Sequence, residues 1–325
     1  MKAMVIDNIG STDVFRLAEK AKPVVKAGHM VVEVKATSVN PIDTMLRSVE
    51  LPWSANLPDV LHGDVAGIVT EIGEHVTDFN VGDEVYGMAG GINGVDGALA
   101  EYMLVDARLM AQKPKTLTMK QAAALPLVSI TSYEALVDKM NVKAGDNVLI
   151  HGATGGVGHI AIQLAKTLGA NVTATYSPAN EALANSMGAD NLVDYTIEEV
   201  DSYVVKYTNG IGFDKVFDTV AGDNIQKSFE AVKFNGHVST ILPIEDPLQV
   251  ALKGLSFHSV LMLIPLFHGV NYESHGRILT KIAALVDEGK IKPLIDESDY
   301  SIWEVAKAHA HLSSGQAVGK ITLTI

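Results

Sequence analysis

Residues 145–176, Gly-Asp-Asn-Val-Leu-Ile-His-Gly-Ala-Thr-Gly-Gly-Val-Gly-His-Ile-Ala-Ile-Gln-Leu-Ala-Lys-Thr-Leu-Gly-Ala-Asn-Val-Thr-Ala-Thr-Tyr, read as one strand–turn–helix–strand unit. Asn147 to Ile150 is a short apolar run set off by Gly145-Asp146, the pattern of a buried parallel strand. The turn Gly152 to Gly158 follows at once, and then Ile160, Leu164 and Leu168 recur at helical spacing beside Ala161 and Ala165. Gly169 ends that helix, and Val172 to Thr175 is the second strand. Glycines at 155 and 158 let the backbone turn tightly and lie close to a pyrophosphate, whose charge meets the free N–H groups of the helix start. Ala153 holds the first position of what would be a full G-x-G-x-x-G, so context carries the reading: strand before, helix after, second strand at the expected distance. The stretch is a candidate dinucleotide site, with Thr154, Gly155, Gly156, Val157 and Gly158 as its phosphate-binding residues.

The 325 residues suffice for two domains and a sizeable core. A formal net charge of −13 argues against nucleic acid or an anionic membrane as a general partner. The absence of cysteine excludes disulfides, thiolate zinc sites and a cysteine nucleophile. The start, Met-Lys-Ala-Met-Val-Ile-Asp, has neither a signal-peptide core nor an Arg-rich transit pattern, and a cytoplasmic location is expected. No run reaches the roughly 18 apolar residues of a membrane span, Val260 to Phe267 being far too short.

Residues 1–115 read as β-rich, with strands at Met4–Ile6, His29–Ala36, Val65–Ile72 and Ala100–Val105, the run Val81–Gly87 following the third of them, and a glycine-rich loop over 90–97. Glu33 and Lys35 alternate with apolar neighbours, as on a half-buried strand. Lys113-Pro114-Lys115 reads as a connector leading to helical sequence from Ala122 and to Tyr133–Met140. From about 120 to 260 strands and helices alternate: Glu181–Met187 (helix), Leu192–Tyr195 (strand), Ile197–Thr208 (helix), Lys215–Asp218 (strand), Asn224–Val232 (helix), His237–Leu242 (strand) and an edge strand over 255–261. That is a doubly wound parallel plan. Helices over 275–288 and 303–313 and a closing strand over 320–325 complete the chain.

With these elements in order the chain resembles the medium-chain dehydrogenase/reductase superfamily, in its zinc-free quinone oxidoreductase branch. The resemblance runs end to end. It is carried by Val39-Asn40-Pro41-Ile42-Asp43 with Arg47, by Asp64–Val69, by Val81–Gly87, and by Ala100-Glu101-Tyr102. The segment 152–166, Gly188-Ala189-Asp190 and the tail Gly315–Ile321 complete the set. The family implies an α/β chain with a GroES-like β-rich catalytic domain, residues 1–120 with 262–325 returning to it. A Rossmann doubly wound cofactor domain, residues 121–261, is inserted between, and the family also implies a homodimer. The edge strand at 255–261 is able to pair with its copy.

Zinc alcohol dehydrogenases of this superfamily bind metal through Cys, His and Cys. Asn40 stands at the first cysteine position and Gly63 at the histidine position. His62 falls one residue early, where strand period turns it the other way, and His258, His268 and His275 are not spaced as a ligand set. No metal is expected.

NAD enzymes carry an acidic residue at the end of the second strand, about 20 residues past the glycines. Thr175 holds that position, so nothing acidic there repels a 2′-phosphate. Ser177 and Tyr195 stand where the resembling reductases hold the adenosine phosphate, although Ser177-Pro178 reads equally as a turn and Tyr195 as a core residue. Glu181 falls near the place where many relatives carry Lys. NADPH is the expected cofactor, with NADH the alternative, and Leu242 at the end of the strand 237–242 joins the cofactor-binding set.

The resemblance puts Asn40, Asp43 and Thr131 near the nicotinamide, in the cleft between domains. Without a Lewis acid, hydrogen bonds must stabilise a developing enolate or phenolate. Asn40 supplies an amide donor and Thr131 a hydroxyl, while Asp43 orients Asn40 or Arg47. Asn40-Pro41 reads equally as a turn and Asp43 as a helix cap. Loops 46–60 and 260–272 shape the acceptor pocket, and the apolar residues of 255–270 read mainly as core or dimer contact. The expected function is NADPH-dependent reduction of a small-molecule quinone or α,β-unsaturated carbonyl. The alternatives are an enoyl-thioester reductase, which needs a basic entrance for an acyl carrier, and a weakly catalytic nucleotide-binding sensor or structural protein.

Overall fold

The computed structural model describes residues 1–50, 56–244 and 247–325, so five residues of the 46–60 loop lie outside the described residues. The chain forms two compact units, one of residues 1–127, 263–289 and 293–325, the other of 128–262 and 290–292.

In the first unit β1 (Lys2–Val5) pairs antiparallel with β2 (Arg16–Glu19). The strands β3 (His29–Ser38), β4 (Asp64–Ile72), β5 (Glu84–Met88), β6 (Tyr102–Asp106) and β7 (Met110–Gln112) build an antiparallel sheet centred on β3, which pairs with both β4 and β6. In β3 Met30, Val32, Val34 and Ala36 are buried, while Glu33 and Lys35 face outward and pair at 2.5 Å. The helix α1 (Pro41–Ser48) starts directly after β3, with Asn40 at its N-cap. The helix α2 (Met119–Ala123) packs on β3 and β4, which carries the change of unit past residue 120. The next helix, α3 (Pro126–Tyr133), runs into a π-helical turn at Glu134–Lys139.

The second unit is the alternating plan: β8 (Asn147–His151), α4 (Gly156–Thr167), β9 (Asn171–Tyr176), α5 (Glu181–Ser186), β10 (Asn191–Asp194), α6 (Val200–Thr208), β11 (Phe213–Asp218), α7 (Asn224–Ala231) and β12 (Val232–Thr240). Then come α8 (Leu248–Leu252) and β13 (Ser256–Ser259). All six strands are parallel in the order β10-β9-β8-β11-β12-β13, so the order reverses between β8 and β11. Ligands bind at the carboxyl ends of strands beside such a reversal. Fully buried Phe213, Phe217 and Phe229 anchor the core, each worth roughly 1.5–3 kcal/mol of transfer free energy. Val260, Met262, Leu263 and Leu266 are buried within this chain.

The first unit is completed by α9 (Ile264–His268), α10 (Glu273–Asp287), β14 (Tyr300–Ser301), α11 (Val305–Ser313) and β15 (Thr322–Thr324). The last strand pairs antiparallel with the end of β3, setting residues of the chain end against those that precede α1. Among the described residues no helix is long and apolar enough to cross a membrane.

Candidate active site

The glycine turn lies between β8 and α4. Gly152 has φ +83°, a left-handed conformation that glycine adopts without strain. A Cβ on Gly158 would overlap the Gly152 carbonyl, so the helix packs onto the turn only because that position is glycine. The first N–H groups of a helix have no intrahelical acceptor, and the N-cap residue Gly155 has no side chain to supply one. The N–H groups of Gly156, Val157 and Gly158 therefore lack an intrahelical acceptor at the positive end of the helix dipole, a cradle that fits the phosphates of a dinucleotide.

Thr175 is turned toward the glycine turn. Its buried hydroxyl accepts from Gly152 N at 3.1 Å, and its carbonyl accepts from Ala153 N at 2.8 Å, so it ties β9 to the turn. Partly exposed Tyr176 and Ser177 follow it. Tyr195 is 50% exposed rather than a core residue. A cavity of about 60 Å³ at this strand edge is lined by Thr175 and Tyr195 together with His151, Glu198 and Lys227. Lys227 carried no signal in the sequence; it reaches this edge from α7. Glu181 starts α5 and is exposed. Burial raises the Tyr176 phenol, and Glu181, Asp194 and Glu198 add to the rise, which marks this edge as acidic. Leu242 is exposed and lies beyond β12, which ends at Thr240 rather than at 242.

In the first unit Asn40 and Asp43 come together as the cap of α1. Asp43 Oδ2 accepts from Asn40 N at 2.7 Å. The carboxylate thus orients Asn40, not Arg47, whose guanidinium donates to the Gly10 carbonyl and to His309 Nδ1. Burial pushes the Asp43 carboxyl up to about 7 against the opposing Asn40 N–H; Asp64 adds to the rise and Lys320 opposes it. Thr131 is buried in α3, in the other unit.

Two residues without an assigned role in the sequence complete the surroundings of Asn40. Its Nδ2 donates to Asp64 Oδ2 at 2.8 Å, and its Oδ1 accepts from Lys320 Nζ. Asp64 also accepts from Ser38 Oγ at 2.6 Å and from Leu127 N, in the first turn of α3, at 2.9 Å. Lys320 sits 3.7 Å from Asp64 and also donates to Val39 O at 3.0 Å.

His62 lies in a left-handed conformation, φ 70°, with its ring stacked on His309 and the two Nε2 atoms 2.9 Å apart. The bond from Arg47 Nε makes His309 Nδ1 an acceptor, so His309 Nε2 carries the proton and donates to His62 Nε2. Burial holds both imidazoles well below their usual range, His309 at about 3, so both are neutral at pH 7. Each ring lone pair is engaged by a neighbouring N–H, and the Asn40 carbonyl by Lys320. These residues do not fit zinc, and no group of three or more His, Asp or Glu side chains among the described residues is arranged to hold a metal. Incubation with a chelator is accordingly expected to leave activity unchanged. Metal analysis finding one tight zinc per chain, lost together with activity, would contradict this.

A parallel sheet with a glycine turn at its order reversal, joined to a β-rich unit assembled from both chain ends, defines a dinucleotide-dependent oxidoreductase of the two-domain type. The family models described as alcohol dehydrogenase GroES-like domain and zinc-binding dehydrogenase match residues 26–115 and 187–323. The chain is 35% identical to 2-methylene-furan-3-one reductase of Solanum lycopersicum, with 99% of this chain and 79% of the relative covered. It is 34% identical to the chloroplastic NADPH-dependent alkenal/one oxidoreductase of Arabidopsis thaliana over the same shares. The quinone oxidoreductase of Homo sapiens is 28% identical, with 100% of this chain and 98% of the relative covered. Among solved structures, an alcohol dehydrogenase superfamily protein of Novosphingobium aromaticivorans superposes with a TM-score of 0.93 at 37% identity, covering 100% and 99% of the two chains. The chain belongs to the medium-chain dehydrogenase/reductase superfamily, in its quinone oxidoreductase-like branch.

Proposed function

We propose that this chain is an NADPH-dependent reductase that delivers hydride to an α,β-unsaturated carbonyl or a quinone without a metal. The observation that carries the reading is the network around Asn40, the residue at the first metal-cysteine position, whose amide is held between the Lys320 ammonium and the Asp64 carboxylate. An acceptor oxygen gaining negative charge must then be met by N–H and O–H donors, such as the Asn40 amide and the Thr131 hydroxyl. When bound, NADPH supplies the hydride. The turn 154–158 binds its phosphates, Ser177 and Tyr195 stand by its adenosine end, Leu242 lies along its path, and Asp43 fixes Asn40. The curated relatives reduce, by their names, an alkenal or enone, a methylene-furanone and a quinone. We also take the chain to be a cytoplasmic homodimer that pairs through the free edge of β13. The test is NADPH oxidation with a panel of enones, quinones and enoyl thioesters. Turnover with enones or quinones supports the reading, whereas turnover with thioesters alone, or none at all, defeats it.

Cofactor preference should be modest, because the acidic edge near Tyr176 opposes a 2′-phosphate while no acidic residue ends β9 in contact with the ribose. Glu181→Lys is expected to tighten NADPH severalfold and leave NADH nearly unchanged, with a gain that shrinks as salt rises. Dissociation constants for both cofactors at low and high salt measure this. Tighter NADH binding by the wild type, with no response to the lysine, would contradict the NADPH assignment.

A further inference from the structure

We infer that Lys320, through its hydrogen bond to the Asn40 carbonyl oxygen, orients and polarises the Asn40 carboxamide so that its N–H meets negative charge developing on an acceptor. This rests on the reading of Asn40 as a donor to the acceptor.

The orientation follows from what each neighbour is able to offer. A carboxamide fits a site in two ways that exchange its oxygen and nitrogen. Lys320 has only donors and the Asp64 carboxylate only acceptors, so the oxygen must face Lys320 and the nitrogen Asp64. The flipped amide would set N–H against ammonium and oxygen against carboxylate. Both neighbours are themselves fixed, Lys320 by Val39 O at 3.0 Å and Asp64 by Ser38 Oγ and Leu127 N. Lys320 is 3% exposed and Asn40 1%, so water does not screen the contact.

Polarisation follows from the charge. An ammonium on the amide oxygen draws electron density from nitrogen and makes the N–H a stronger donor, an effect that low local dielectric enlarges. Asn40 Nδ2 carries two hydrogens. One goes to Asp64 at 2.8 Å, and the second is the one assigned to the acceptor. Lys320 is thus a positioning residue that acts through Asn40.

The experiment is a double-mutant cycle on single-turnover hydride transfer from NADPH to an enone, with Asn40→Ala, Lys320→Met and the combination. Lys320→Met is expected to slow transfer tenfold or more while the NADPH dissociation constant stays within twofold. In the Asn40→Ala chain the same change should cost less than twofold further, because the group it acts on is gone. Lys320→Arg, which keeps the charge and a donor, should recover most of the rate. Independent losses that multiply, or a Lys320→Met chain at the wild-type rate, overturn the proposal. If Asn40→Ala alone transfers at the wild-type rate, it is the reading of Asn40 that fails, and the proposal with it. Lys320→Met leaves Asp64 a buried unpaired carboxylate. Should that chain not fold, the cycle is run on an Asp64→Asn background, with Asp64→Asn as the reference to which Lys320→Met and Asn40→Ala are added, and the same relative outcomes are expected.

Discussion

Gly156→Asp is expected to weaken NADPH binding more than tenfold without unfolding the protein. Gly156 is the first residue of α4, whose N-terminal N–H groups are the ones proposed to hold the pyrophosphate. A carboxylate at this end of a helix is favourable to the helix itself, because it answers the same dipole and the same unpaired donors that attract phosphate. The added charge therefore stabilises the free protein while repelling and displacing the cofactor. Tenfold corresponds to about 1.4 kcal/mol. Thermal unfolding of the free chain should be unchanged or raised, and NADPH titration should show the loss. A folded variant of unchanged affinity would place the cofactor elsewhere.

Asn40→Ala is expected to lower kcat about a hundredfold with NADPH affinity within twofold, on the scale of losing one preorganised donor to a developing oxyanion. The same substitution deprives Lys320 and Asp64 of a partner each, at a cost of about 1–3 kcal/mol of stability. Urea unfolding measures that cost separately. If the mutant loses stability but keeps kcat, Asn40 is part of the scaffold and not of the chemistry.

The strand–turn–helix of 147–167 was legible because its signals are local: apolar run, glycines and helical period follow one another within a few residues. The resemblance brought Asn40 and Asp43 forward, and at the cap of α1 the two are hydrogen-bonded to each other. Lys320 stood in the quoted tail without a role, since its partner Asn40 is 280 residues away and only the pairing of β15 with β3 brings them together. His309 was silent for the same reason: it meets His62 across 247 residues. Strand period placed His62 on the face away from metal, but nothing local indicates a left-handed backbone at a histidine. The helix expected from Ile197 starts at Val200, because Asp194 accepts from Thr196 N and Oγ1 and holds a turn there. Strand β2 escaped notice because its residues are mostly exposed and lack alternation. Thr175 held the expected position, yet its hydroxyl serves the turn, a role no spacing rule distinguishes from ribose contact.

The central claim, hydride delivery to an electron-poor carbon without a Lewis acid on the carbonyl, is tested most directly by the destination of the hydride. Reduction of an enal with NADPH deuterated at the transferred position of C4, in the presence of chelator, should give the saturated aldehyde. Mass and NMR spectra should show one deuterium at the β-carbon and a solvent-derived hydrogen at the α-carbon. Deuterium on the former carbonyl carbon, with the double bond retained as an allylic alcohol, would contradict the account.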